Sequence, residues 1–161
     1  KVIFNHLNKF CNKKKIKLGY CSKVGDLLEP HIRNSLSKGN WTYYPSVNKE
    51  KTYKNLNKQQ MVVFGYSTLG FEALAKGLRC AIFYKSFPIE GSNMKYPKSG
   101  PFWTNLKNYS DLEKTLKRVI AFSNNNWKRI ANKYSAEILN YNPANTKMKK
   151  IIYSILKNGY K

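Results

Sequence analysis

Between Lys15 and Tyr84 the apolar positions switch repeatedly between two spacings. Ile16, Leu18 and Tyr20 recur at every second residue and predict a strand over Lys15–Cys21. Asp26 to Ser37 predicts a helix that ends before Gly39. Trp41–Pro45 predicts a short strand and Lys51–Lys58 a short polar helix. The unbroken apolar run Val62, Val63 and Phe64 predicts a central parallel strand over Met61–Gly65, followed by a helix over Leu69–Lys76 that Gly77 stops. A further strand is expected over Arg79–Tyr84. This order implies right-handed βαβ units, hence an α/β fold: a Rossmann-like parallel sheet with helices on both faces.

Pro88, Gly91, Pro97, Gly100 and Pro101 interrupt the rhythm, so Lys85–Asn105 is expected to hold no helix or strand. Loops this long often carry binding residues, although a plain surface excursion fits the pattern equally. Helices are expected over Ser110–Ser123, opened by Ser110-Asp111-Leu112-Glu113, and over Asn126–Leu139. A last amphipathic helix is expected over Pro143–Leu156, where Met148, Ile151, Ile152 and Ile155 fall at helical spacing. No internal repeat is present. The 161 residues suit a single domain, 1–161, with a terminal helical extension over 140–161. The chain opens on Lys1 rather than Met and is expected to be the later part of a longer protein.

A formal net charge of +22 sits on a chain that is 42% hydrophobic and 14% aromatic, which is the composition of a folded domain with a cationic surface. Most of the basic residues are Lys, whereas base readout favours the planar Arg fork. Lys is accompanied by abundant Asn, Ile and Tyr, the residues of A/T-rich codons, so genome bias accounts for part of the charge. Charge alone fits an anionic membrane face, sugar nucleotides or nucleic acid. Cys11, Cys21 and Cys80 form no CxxC pair, which disfavours a zinc site or disulfide framework and fits a reducing, cytoplasmic setting. No apolar run approaches the roughly 20 residues of a membrane span, so any membrane contact is expected to be peripheral.

The Gly65-Tyr66-Ser67-Thr68 turn carries the chemistry. A nucleophile elbow would need Gly two residues after Ser67, where Leu69 stands, and a later histidine, whereas His6 and His31 come earlier. Neither GxxxxGK[ST] nor GxGxxG after a strand occurs. What remains is an anion site: the Ser67 and Thr68 hydroxyls with the N–H groups of Leu69 and Gly70 at a helix start. The same pattern also describes a cap without a ligand. Glu72 is placed either to bond a ribose or to complement the helix start. Tyr66 can flank a base or pack in the core. Phe102 and Trp103 can wall the cleft or anchor the loop.

Ser67-Thr68-Leu69-Gly70-Phe71-Glu72-Ala73-Leu74-Ala75-Lys76-Gly77, then Arg79 to Phe83, then Gly100-Pro101-Phe102-Trp103-Thr104-Asn105 resemble the bacterial surface-carbohydrate biosynthesis proteins. Those have an STLGYEALARG-like turn and helix and a later GPFWT-like motif. Phe71 stands where that family has Tyr. The resemblance covers roughly Trp41 to Trp127. It implies a glycosyltransferase of lipopolysaccharide O-antigen or capsule assembly, with this chain similar to the C-terminal half of a GT-B fold. It further implies that a nucleotide-sugar donor is bound here, with Ser67, Thr68, Leu69 and Gly70 on the donor phosphate. Tyr66, Glu72, Phe102 and Trp103 would lie near the nucleotide or sugar. A glycan or lipid-linked acceptor and the catalytic base would come with an N-terminal domain outside this chain, so the fragment is not expected to act alone. No Asp-x-Asp motif is present, and no metal or other cofactor is expected. Two alternatives from other classes are a basic nucleic-acid-binding module and a non-catalytic scaffold at the membrane surface using Asn145–Lys157. No RNP, KH or helix-turn-helix pattern appears, so no specific nucleic acid is expected.

Overall fold

The strand Cys80–Phe83 is buried at every position and pairs in parallel on both of its sides. In a computed structural model that describes residues 2–23, 29–36, 39–46, 48–65, 67–83, 100–104, 108–136, 138–139, 142 and 144–158, this strand is β4. The chain begins with α1 (Val2–Lys14), β1 (Leu18–Lys23), α2 (Glu29–Leu36), β2 (Trp41–Ser46) and α3 (Lys49–Asn57). It continues with β3 (Val62–Phe64), α4 (Thr68–Ala75), β4, β5 (Trp103–Thr104), α5 (Tyr109–Ala121), α6 (Asn124–Ser135) and α7 (Thr146–Asn158). The result is a Rossmann-like α/β fold with parallel strands, flanking helices and C-terminal helices.

Alternate residues of β4 explain the layers, because successive side chains of a strand point to opposite faces. Cys80 and Ile82 enter one core with Phe64, Phe71, Leu74, Phe102 and Trp127, so α4 and α6 cover that face. Ala81 and Phe83 enter the other with Leu7, Phe10, Leu112 and Leu116, so α1 and α5 cover the opposite face. Burial on both faces is why β3 and β4 read as continuous apolar runs. The strands form two parallel ladders, β1–β2 and β3–β4–β5; among the described residues none joins β1 to β3.

Two elements depart from the sequence reading. Helix α1 lies ahead of the first expected element; its Leu7, Phe10 and Cys11 are buried at helical spacing. Strand β5 falls in Lys85–Asn105, where no strand was expected. Two residues are too few to show a period, and this strand exists through its partners: Ile82 N–H donates to the Phe102 carbonyl at 2.9 Å and Trp103 N–H to that of Gly100 at 3.2 Å. The rest of that loop, residues 85–99 and 105, lies outside the described residues. Helix α5 is capped by Asn108, which accepts from Asp111 N–H at 2.9 Å, two residues earlier than the Ser110 opening that was expected.

Helix α4 is fixed at both ends by glycine. Gly77 has φ of 81°, Gly77 N–H donates to the Leu74 carbonyl at 2.9 Å and Leu78 N–H to that of Ala73 at 3.0 Å, the paired bonds of a Schellman stop. The Gly77 carbonyl then accepts from Trp127 Nε1 at 3.1 Å, which ties α6 to the end of α4. At the other end Gly70 lies flat on the Phe64 ring. A Cβ there would come within 2.2 Å of Phe64 Cγ.

Gly70→Ala therefore destabilises the fold even though alanine favours helix, because overpacking costs about 1–3 kcal/mol against less than about 1 kcal/mol of propensity. Urea unfolding should show a lower midpoint at unchanged slope; a higher midpoint would mean that α4 does not approach β3 this closely.

Candidate functional site

The chain passes from β1 out to β2 and returns to β3, and a cleft of about 970 Å³ lies between the returning strand and β1. One wall is Leu18, Gly19, Tyr20 and Cys21, the other Val62, Val63, Phe64 and Gly65. In open α/β sheets such a reversal opens a crevice at the carboxyl ends of the strands, where ligands bind. Gly19 keeps the β1 wall low, since a Cβ there would stand 2.9 Å from the Tyr44 ring.

At the carboxyl end of β3 the turn delivers the start of α4 into this cleft. Ser67, Leu69 and Gly70 all line it. Ser67 is extended, with φ of −151° and ψ of 120°, and its Oγ accepts from Gly70 N–H at 3.4 Å, so the capping half of the expectation holds. The Gly70 amide is thereby engaged. The amides of Thr68 and Leu69, in the first helical turn, have no acceptor within the helix. Ser67 accepts through its oxygen and keeps its own hydroxyl proton to donate. Half-buried Ser67, exposed Thr68 and the positive end of the helix dipole together suit an anion. The lysines that border the cleft, Lys15, Lys17 and Lys58, precede β1 and β3 in the chain and stand toward the strands' amino ends.

The other expected site residues separate from this group. Tyr66 lies outside the described residues. Glu72, in the second turn of α4, accepts a hydrogen bond from the Tyr53 hydroxyl of α3. Lys76 Nζ lies 4.2 Å from the centre of the Tyr53 ring, so Tyr53, Glu72 and Lys76 clamp α3 to α4 away from the cleft lining. Phe102 has no exposed surface and packs edge-on to Tyr134 at 5.0 Å and Trp127 at 6.3 Å. A side chain with no exposed surface anchors the loop rather than walling a cleft. Trp103 is half-buried beside it, 5.8 Å ring to ring, and does not line the cleft either. Tyr53 was missed by sequence reasoning; its signal was the Tyr53 and Leu56 pair, three apart on an otherwise polar helix. Cys21 was also missed as a cleft residue.

The family model described as "putative O-antigen biosynthesis protein" matches residues 1–156. The chain belongs to that family. This agrees with the surface-carbohydrate biosynthesis resemblance carried by the Ser67–Gly77 and Gly100–Asn105 segments, and it extends the likeness over α1 and most of α7. No curated protein and no solved structure matches the chain. Among the described residues of this O-antigen biosynthesis family member, no three His, Cys, Asp or Glu side chains come together as a metal ligand set. No described helix is long and apolar enough to cross a membrane.

The Tyr53–Glu72 bond predicts a pH dependence. The hydrogen bond to Glu72, then burial and the carboxylate's charge, push the Tyr53 phenol above the ordinary tyrosine value. A group whose pKa is raised on folding contributes stability that is present below its unfolded value, near pH 10, and lost as pH climbs through the folded value. Tyr53→Phe should therefore be less stable than the parent at neutral pH, and the gap should close in alkaline solution. Parallel unfolding curves at neutral and strongly alkaline pH measure this; a gap that stays constant would mean that the bond contributes nothing.

Proposed function

We propose that this chain is the donor-binding part of a glycosyltransferase that adds a sugar to a surface polysaccharide or lipopolysaccharide acceptor, and that the β3–α4 turn seats the donor's phosphate. The single observation that carries this reading is the placement of the Ser67 cap and the α4 start at the carboxyl end of the parallel strand β3, at a cleft. Membership of an O-antigen biosynthesis family supplies the chemical context, because sugars are added to growing glycans from activated, phosphorylated donors.

In this reading Ser67 and Thr68 donate their hydroxyl protons to phosphate oxygens, joined by the Thr68 and Leu69 amides. The leaving diphosphate gains negative charge as the sugar–oxygen bond breaks. Fixed donors and a helix dipole that already point at that position stabilise the transition state more than the ground state. Strand β1 across the cleft would face the nucleotide, with Gly19 giving it room. In this reading the chain's own part in the reaction is to bind the donor and to stabilise the departing diphosphate. Gly70 contributes through packing, by letting α4 settle on Phe64.

Ser67→Asp separates cap from ligand site. Aspartate caps a helix as well as serine does, so stability is retained, but its carboxylate repels phosphate. Calorimetric titration of the full chain with a panel of nucleotide sugars should show binding to at least one, weakened on the order of tenfold or more by Ser67→Asp. The same ligand should slow modification of Cys21 by a thiol reagent, since Cys21 is exposed at the far wall of the cleft. Undiminished binding to the Ser67→Asp protein, or no binding across the panel, would overturn the reading.

A further inference from the structure

Helix α7 buries none of its residues. Its Met148, Ile151, Ile152, Ile155 and Leu156 are exposed, from 39% at Ile155 to 76% at Leu156. At about 100° per residue these five occupy one arc of roughly 140°. Lys147 and Lys149 flank the two borders of that arc, Lys150 and Lys157 lie on the opposite side, and the helix holds no acidic residue. The start of α7 is built without outside help: Thr146 N–H donates to Asn142 Oδ1 at 3.4 Å, and Asn142 Nδ2 donates to Thr146 Oγ1 at 2.8 Å.

Two other occupants each match only half of this face. A second copy of the chain would bring another +22 against it, with lysines meeting lysines at the rim of the contact. A nucleic acid would offer phosphates but no apolar surface for the aliphatic arc. An anionic bilayer offers both, in the right geometry: acyl chains for the arc and headgroup phosphates for lysines that reach sideways from its borders.

We propose that α7 is an interfacial helix that lies on an anionic lipid bilayer, its aliphatic arc in the headgroup–acyl boundary and the border residues Lys147 and Lys149 on lipid phosphates. Such a helix would hold a donor-binding domain at a membrane surface, within reach of a lipid-linked acceptor. Its residues are separate from the β3–α4 turn, so lipid binding and nucleotide binding are measured independently.

Co-sedimentation of the full chain with vesicles tests the proposal. The protein should bind vesicles of phosphatidylglycerol and phosphatidylcholine in equal parts, and bind phosphatidylcholine alone far more weakly. Each lysine near the surface contributes about fivefold, so replacing the border residues Lys147 and Lys149 by Gln should lower partition by about 25-fold, and replacing Lys150 and Lys157 on the far side by much less. Ile151→Ser with Ile155→Ser changes only exposed side chains and should lower it roughly tenfold or more. Equal binding to both vesicle types would overturn the proposal. So would binding that survives the two serine substitutions, since overall charge would then be holding the protein. A lipid-free dimer that those substitutions dissolve would make α7 a contact between copies and would equally overturn it.

Discussion

The contact between Gly70 and the Phe64 ring is the constraint on which the rest depends. It lets the first turn of α4 descend onto the end of β3, so the helix starts at the strand's carboxyl edge rather than above it. Phe64 also meets Phe71 edge to face at 5.1 Å, and Phe71 joins the core that holds Leu74, Ile82 and Trp127. The same packing that seats α4 therefore aims the amides of its first turn. The Schellman stop at Gly77 and the Trp127 bond to its carbonyl secure the far end, so α4 is a short helix clamped at both termini. Preorganisation of this kind is what lets helix donors act on a ligand without a cost of rearrangement at the moment of reaction.

The two parallel ladders set where a ligand could lie. With no described hydrogen bonds between β1 and β3, a cleft runs between them, and the turn after β3 brings a helix start to it. The carboxyl end of the cleft is polar through backbone and hydroxyl groups, while Lys15, Lys17 and Lys58 border its amino end. In the proposed reading, phosphate recognition at the turn thus depends on the helix rather than on the chain's large positive charge. That charge has a more specific use on α7, where lysines border an exposed aliphatic arc.

Much of this was legible in the sequence because burial on both faces writes itself as unbroken apolar runs. Val62–Phe64 and Cys80–Phe83 declare a central parallel sheet, and Ser67 and Gly77 mark the ends of α4 by the chemistry of caps. Strand β5 was illegible because two residues carry no period; its pairing with β4 and the Phe102 anchor create it. The division into two ladders is a tertiary outcome with no local signal. Among the candidate site residues, Ser67, Leu69 and Gly70 converge because one turn carries them. Glu72 and Phe102 were assigned from their places in the helix start and the GPFWT-like motif, and packing gave them other partners: Tyr53 for the carboxylate, and an aromatic cluster with Tyr134 and Trp127 for the ring. A carboxylate or a phenylalanine in sequence does not say whether it will face a ligand or a neighbouring helix.

In the proposed reading the first turn of α4 holds a phosphate. Amide chemical shifts of the isotope-labelled chain, followed during addition of a nucleoside diphosphate, test it most directly. The largest shifts should fall on Thr68 and Leu69, with smaller ones on the β1 wall at Gly19 and Cys21. Shifts confined to lysine-rich surface segments such as α7, with Thr68 and Leu69 unmoved, would contradict it.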